Sequence, residues 1–124
     1  MTPAQARAMY RRQISAHGEL VALRREALDP APEASGLRAR VTGFSPEELA
    51  SGIDQGARKV ILLAEDLEAA IAAGNWPEPA AGFPAILKDD TLVVRGAPVN
   101  VERVDDSTRR VSGELIAYEL TVIG

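Results

Sequence analysis

The last forty residues of the chain show the clearest alternation of apolar and polar positions. Three strands are predicted there, at residues 91–95, 99–104 and 115–122. One face of the third strand carries four apolar side chains, those of Ile116, Tyr118, Leu120 and Val122. Successive side chains of a strand point to opposite faces, so this period of two predicts a half-buried antiparallel strand. The three strands together predict a meander with an apolar inner face.

Three more strands are predicted upstream, at residues 19–25, 37–42 and 58–63. In the second of them, Leu37 and Ala39 alternate with arginines and should face the core. The first ends in Arg24–Arg25, which we expect to leave the core. Six short strands with turns between them indicate a mainly β fold, a small antiparallel barrel or sandwich.

Two helices are predicted beside the strands. Thr2 and Gln5 form a capping-box pattern around Pro3, which predicts a helix over residues 3–16. Gly18 is expected to end it as a left-handed cap. Such a short helix is marginal alone and must pack on its own barrel or on a neighbour. Residues 64–73 predict a second short helix after the third strand.

The chain therefore divides into an N-terminal helix, 1–17, and a barrel domain, 18–124. Three irregular segments are predicted within the domain: loops 28–36 and 50–58 and a proline-rich excursion, 74–84. Residues 45–49, which begin Ser-Pro-Glu-Glu, predict one or two helical turns before the second loop. In the excursion we expect the aromatic side chains of Trp76 and Phe83 to fold back on the barrel.

Composition and charge narrow the class of protein. The chain contains no cysteine, which excludes disulfides and thiolate metal sites. No apolar run approaches the roughly 20 residues of a membrane span, and the first residues lack a signal-peptide pattern, so synthesis in the cytosol is expected.

Residues 1–40 hold seven arginines and four carboxylates, a charge of +3, whereas residues 41–124 hold seven basic and fourteen acidic residues, a charge of −7. This asymmetry suggests surfaces of opposite sign or ordinary solvated charge. The acidic body and few aromatics argue against a nucleic-acid surface.

No motif indicates catalysis. His17 is the single histidine and has no partner at ligand spacing. Four acidic pairs begin at Glu47, Glu65, Asp89 and Asp105, and each lies at a predicted helix start or turn, where carboxylates are common. We expect no enzyme activity, no metal and no cofactor. Arg109–Arg110 is either a solvated hairpin tip or a docking contact for an acidic partner.

Several segments occur in an order that is similar to one known family. They are Leu20–Arg25, Arg38–Leu49, Gln55–Leu67, Lys88–Gly96 and Val99–Asp105, with the strand Tyr118–Val122. The chain resembles the head–tail connector proteins of tailed bacteriophages, in the head-completion or stopper group that includes the lambda head–tail joining protein. The proline-rich excursion departs from the compact family pattern.

The resemblance implies a virion protein of the neck, assembled in the bacterial cytoplasm. It implies a homo-oligomeric ring that closes the DNA-filled head below the portal and offers a surface to the tail. The implied partners are a portal or adaptor protein above and a tail terminator or tail tube protein below, with packaged DNA nearby, no membrane and no catalysis. A tail terminator or another neck ring of the same phage is an alternative within this class.

Interface residues are expected on the N-terminal helix, the two loops and the Arg109–Arg110 tip. They are Arg7, Arg11, Arg12, Asp29, Glu33, Ser51, Asp54, Gln55, Arg109 and Arg110. A more distant alternative is a prophage-encoded regulatory module that binds nucleic acid through the arginines of the helix.

Overall fold

A computed structural model describes residues 1–43 and 57–124 of the chain. The predicted turn at 45–49 and most of the predicted loop 50–58 lie outside the described residues. The described elements, in chain order, are α1 Pro3–His17, β1 Glu19–Arg24, β2 Glu33–Gly43, β3 Ala57–Leu63, α2 Ala64–Ala72, β4 Thr91–Val94, β5 Ala97–Asp105, β6 Arg110–Val111, β7 Glu114–Leu115 and β8 Ala117–Ile123.

Six of the strands form a closed antiparallel barrel in the order β1-β2-β3-β8-β5-β4. Pairing of β4 with β1 closes it, with Leu92 opposite Leu23. The strands β6 and β7 form a separate two-stranded ribbon between β5 and β8. The predicted fold class is confirmed, including the N-terminal helix and the second helix after the third strand.

The core fills the barrel with the apolar side chains that alternation placed on one face. The predicted strand 115–122 is interrupted at Ile116, which is buried just before β8 begins. The other three predicted inward residues, Tyr118, Leu120 and Val122, are buried in β8, and Leu120 lies opposite Val60 of β3 and Val104 of β5. Leu67 from α2 and Ile86 from the segment before β4 add to the same core. Closure removes every free edge from the six strands where they pair, which blocks edge-to-edge aggregation.

The predicted loop 28–36 is too long, because β2 begins at Glu33. Glu33 and Ala34 pair with Arg24 and Leu23 at the end of β1. The register then shifts between Val21 and Leu23, and Gly36 takes a φ of 70° at this irregularity. Glycine adopts this conformation without steric cost. Gly36 therefore predicts a turn, whereas in the structure the chain continues through it as a bulged strand. The predicted loop 50–58 likewise ends earlier, since Ala57 already belongs to β3.

The predicted start of α1 is confirmed in atomic detail. The Thr2 hydroxyl accepts a hydrogen bond from the Gln5 backbone N–H, and the Gln5 side chain accepts one from the Thr2 N–H, which completes a capping box. The predicted role of Gly18 as a left-handed cap is wrong, because its φ is −102°. Glycine is needed there for space: a Cβ would lie 2.5 Å from the carbonyl oxygens of both Ile14 and Ala39.

Gly18→Ala should therefore destabilise the fold by about 1–3 kcal/mol, as expected for a side chain forced into a packed site. Both contacts are with backbone atoms, so no side-chain rotation relieves them. Urea unfolding monitored by circular dichroism would measure the change. Gly43→Ala is the matched control, because a Cβ there meets no atom of the described residues within 4 Å. Equal stability of the two variants would contradict the close approach.

The proline-rich excursion places its two aromatic residues differently. Trp76 is buried, and its indole N–H donates to the Ala85 carbonyl oxygen at 3.0 Å, as the prediction required. Phe83 is 64% exposed, so its predicted return to the barrel is wrong. Gly82 turns the chain with a φ of 83°, after which Ala85 and Ile86 enter the core instead.

Candidate interaction surfaces

Two of the predicted interface arginines attach α1 to α2. Arg7 makes a two-pronged contact with the Glu68 carboxylate, at 2.9 and 3.1 Å, and also donates to the Leu115 carbonyl oxygen at 2.9 Å. Arg11 binds the Glu65 carboxylate at 3.0 and 2.9 Å. Hydrogen bonding to these carboxylates raises the pKa of both arginines. Their charges therefore lie in pairs within the chain.

A third arginine extends this set of ion pairs into the barrel. Arg38 of β2 binds the Asp66 carboxylate at 2.7 and 3.0 Å, and its backbone N–H donates to the same group at 2.8 Å. The basic N-terminal third and the acidic α2 thus meet within one molecule. The charge asymmetry predicted to create opposite surfaces is partly neutralised at this contact.

Arg12 differs from its neighbours on α1. It is exposed and forms no ion pair within residues 1–43 and 57–124. Arg40 on the outer face of β2 is in the same situation. Among the described residues, neither of these two exposed guanidinium groups has an ion-pair partner.

Arg109 does not lie at a solvated tip. It is half-buried against α1, where it donates to the Tyr10 hydroxyl at 2.9 Å and to the Glu119 carboxylate at 3.1 Å. Its guanidinium carbon also lies 5.9 Å from the centre of the Tyr10 ring. Burial opposes the charge, but the bonds with Tyr10 and Glu119 outweigh it and raise the pKa of Arg109. Arg110 closes its own ribbon by donating to the carbonyl oxygens of Asp106 and Gly113 at 2.6 and 2.7 Å.

The turn before this ribbon is organised by Asp105. Its carboxylate accepts hydrogen bonds from the Thr108 hydroxyl at 2.6 Å and from the backbone N–H groups of Ser107 and Thr108 at 2.8 and 3.0 Å. These donors favour the ionised form and lower the pKa of Asp105.

Asp105→Asn should therefore be less stable than the wild type at about pH 7, by an amount that shrinks on acidification. A carboxyl with a lowered folded-state pKa stabilises the fold above its unfolded value of about 3.9, and this contribution is lost as the pH falls through the folded value. Urea unfolding at about pH 7 and about pH 3 would measure it. Asp106→Asn is the control, since Asp106 lacks this set of donors. A difference that does not change with pH would contradict the role of Asp105.

The predicted loop residues are only partly described. Asp29 is exposed in the turn after β1. Glu33 binds Arg24 at 2.9 Å, and Arg24 also contacts Glu26 at 3.2 Å, in an exposed cluster. The three remaining candidates, Ser51, Asp54 and Gln55, lie outside the described residues.

A buried ion pair that the sequence did not indicate fixes one end of the barrel. Arg25, predicted to leave the core, binds the buried Asp90 carboxylate at 2.8 and 2.9 Å. Its guanidinium also donates to the Ala85 carbonyl oxygen at 3.1 Å and stacks 4.9 Å from the centre of the Trp76 ring. The hydrogen bond with Asp90 raises the pKa of Arg25. This anchor joins the end of β1 to the excursion and to the start of β4.

Helices pack against one side of the barrel and leave the opposite side exposed. Both helices contact β2, and α2 also contacts β8. On the outer face of β1 and β4, Leu20 is 66% exposed and lies close to Ala22 and Val93 around a shallow open groove. One side of the barrel is therefore shielded by helices, and the other presents apolar side chains to solvent.

A second groove lies between α1 and the outer face of the barrel. It encloses about 140 Å³. Its lining consists of Met9, Tyr10, Gln13, Ile14, Arg40, Ile61 and Arg109. A third, more open groove of about 440 Å³ lies between β2 and α2. The groove between α1 and the barrel combines apolar side chains with the guanidinium groups of Arg40 and Arg109.

Three of the four acidic pairs have structural partners, and the pair that begins at Glu47 lies outside the described residues. Glu65 and Asp66 bind arginines, Asp90 binds Arg25, and Asp105 organises a turn. Among the described residues no group of three or more His, Cys, Asp or Glu side chains could hold a metal ion. Within residues 1–43 and 57–124 no helix has the length and apolar character that a membrane span needs.

Comparisons of this chain with known protein families, with curated proteins and with solved structures found no match.

Proposed function

We propose that this protein is a structural component of the bacteriophage neck, a ring subunit that closes the DNA-filled head below the portal and offers the tail its attachment surface. One observation carries the proposal. The barrel is closed and is shielded by helices on one side, while it presents exposed apolar side chains elsewhere, at Leu20, Leu28, Phe83 and Leu87. Exposed apolar positions spread over several sides of a small rigid body suit a subunit that contacts several neighbours.

The partners follow from this role. Neighbouring copies would contact the sides of the barrel, the portal or an adaptor would contact one end, and the tail terminator or tail tube the other. The sequence resemblance to head-completion proteins supports the same assignment. A tail terminator or another ring of the same neck shares these requirements and stays an alternative within the class.

The nucleic-acid alternative loses most of its basis. It depended on the arginines of α1, and two of the three, Arg7 and Arg11, are bound to glutamates of α2. A phosphate backbone would have to displace these carboxylates before it could bind. Hydrolytic use of the Asp89–Asp90 pair is opposed in the same way, because Asp90 is buried against Arg25.

Mass spectrometry of purified virions tests the proposal. We expect the chain in intact particles at a constant ratio to the portal protein and cross-linked to it. We expect deletion of its gene to give DNA-filled heads and separate tails of normal length, whereas loss of a tail terminator would alter tail length. Absence of the chain from purified virions, or normal tailed particles without it, would overturn the assignment.

A further inference from the structure

Phe83 is the only exposed aromatic side chain in the described part of the chain. Its neighbours on both sides are firmly fixed. Trp76 is buried before it and donates to the Ala85 carbonyl oxygen, and Ala85 and Ile86 are buried after it. A large apolar ring is thus held in water between two anchored points. Packing within the described part of the chain does not explain why the Phe83 ring is exposed.

The backbone around Phe83 is held in a defined turn. The Phe83 N–H donates to the Ala80 carbonyl oxygen at 3.0 Å, and Gly82 adopts the left-handed conformation that this turn requires. Prolines at 77, 79 and 84 restrict the chain on both sides. Because little freedom remains, a contact made by this side chain would cost little conformational entropy.

The groove between α1 and β3 has the size and chemistry to receive such a ring. An apolar cavity of about 150 Å³ holds one benzene molecule, and this groove encloses about 140 Å³. Met9, Ile14 and Ile61 supply apolar surface. Arg40 lies at the rim with a guanidinium that has no ion-pair partner among the described residues, and arginine packs favourably against aromatic faces.

The charges beside the ring and beside the groove are complementary. Glu78, in the same excursion as Phe83, is exposed and forms no ion pair within the described residues. Arg40, which lines the groove, and Arg12, which belongs to the helix α1 that forms one wall of it, are exposed cations of the opposite sign. A copy that inserted Phe83 into this groove would bring the Glu78 carboxylate towards these two guanidinium groups.

Phe83 does not line the groove of its own chain. The excursion is anchored through Arg25 and Asp90, where β1 ends and β4 begins. The groove lies over β2 and β3, and β3 is separated from β1 and β4 by intervening strands on both sides of the closed barrel. Phe83 is exposed and is not among the residues that line the groove, so ring and groove are separate surfaces of one molecule.

We propose that Phe83 of one copy inserts into the groove between α1 and β3 of a second copy. The contact is head-to-tail, since each copy offers one ring and one groove, and such contacts generate closed rings or open filaments. Its biological role rests on the proposed function, because it would be the subunit contact of the neck ring.

Two variants and their mixture test the contact. Sedimentation velocity of the wild type, up to about 1 mM to include weak contacts, should show multiples of the 13.2 kDa chain. Phe83→Ser and Met9→Lys should each raise the dissociation constant at least tenfold, the loss expected for a central aromatic anchor. An equimolar mixture should form dimers and nothing larger, because each variant keeps the half that the other has lost.

Ala81→Ser is the matched control. It changes an exposed side chain of the same excursion, two residues before Phe83, and leaves the ring and the residues that line the groove in place, so it should assemble like the wild type. Thermal melts would confirm that all variants are folded. A monomeric wild type, normal assembly of Phe83→Ser, or a mixture without dimers would overturn the contact.

Failure of this contact and failure of the neck assignment are distinguishable. Virions that contain the chain, assembled normally with Phe83→Ser, would refute the contact and keep the function. Self-association that depends on Phe83, in a chain absent from virions, would keep the contact and refute the function.

Discussion

Leu120→Asp is expected to abolish the cooperative unfolding transition of this protein. Leu120 is fully buried in β8, between Val60 of β3 and Val104 of β5. Loss of the leucine alone costs about 2–5 kcal/mol. An unpaired carboxylate in the same place adds several kcal/mol. Since the free energy of unfolding of small domains is only about 5–15 kcal/mol, the two losses together remove most or all of it.

Thr121→Asp is the control for the Leu120 experiment. It introduces the same charge one residue later, on the outer face, where Thr121 lies opposite Lys59 and Arg103. We expect a melting transition close to that of the wild type. Differential scanning calorimetry and near-ultraviolet circular dichroism would compare the variants. A normal transition for Leu120→Asp would show that the inward face of β8 is wrongly assigned.

Arg25→Met is expected to destabilise the fold by about 3–5 kcal/mol, the cost of removing one partner from a buried ion pair. The methionine keeps part of the apolar stem of Arg25, so the loss of stability reflects mainly the unpaired Asp90 carboxylate. Of the donors to that carboxylate among the described residues, only the Leu87 N–H would remain. Trp76 is the single tryptophan and packs beneath the guanidinium. Its fluorescence should shift to longer wavelength as water reaches the ring.

A double-mutant cycle separates the ion pair from general packing. Combined with Asp90→Asn, which removes the charge and keeps an acceptor for Leu87, Arg25→Met should cost about 1–3 kcal/mol less than the sum of the two single changes. Arg24→Met is the control, because its pairs with Glu26 and Glu33 are exposed and should contribute less than about 1 kcal/mol. Additive single changes would mean that Arg25 and Asp90 act independently.

Much of the fold could be predicted because its signals are local. The alternation in β8, the capping box at Thr2 and the helix propensity after Leu63 each depend on a few neighbouring residues. Errors arose where pairing overrode a local signal. The glycine and prolines of 28–36 predict a loop, but pairing of Glu33 with Arg24 continues β2 through part of it.

The interaction surfaces were less predictable because they depend on distant residues. The sequence predicts Arg7 and Arg11 as exposed cations, whereas in the structure α2 places Glu68 and Glu65 beside them. Arg109 meets Tyr10 across 99 positions, and Arg25 meets Asp90 across 65. No spacing rule connects such pairs, so a single sequence carries no sign of them.

The sequence by itself determined a mainly β domain with two flanking helices, since periodicity and capping are encoded over short stretches. Only the tertiary structure decided which arginines are bound within the chain and which stay open. It also decided that Trp76 turns inward while Phe83 stays in water. The physical reason is the same throughout: the free energy of a charge or an aromatic ring depends on what lies beside it, and closure of the barrel decides that.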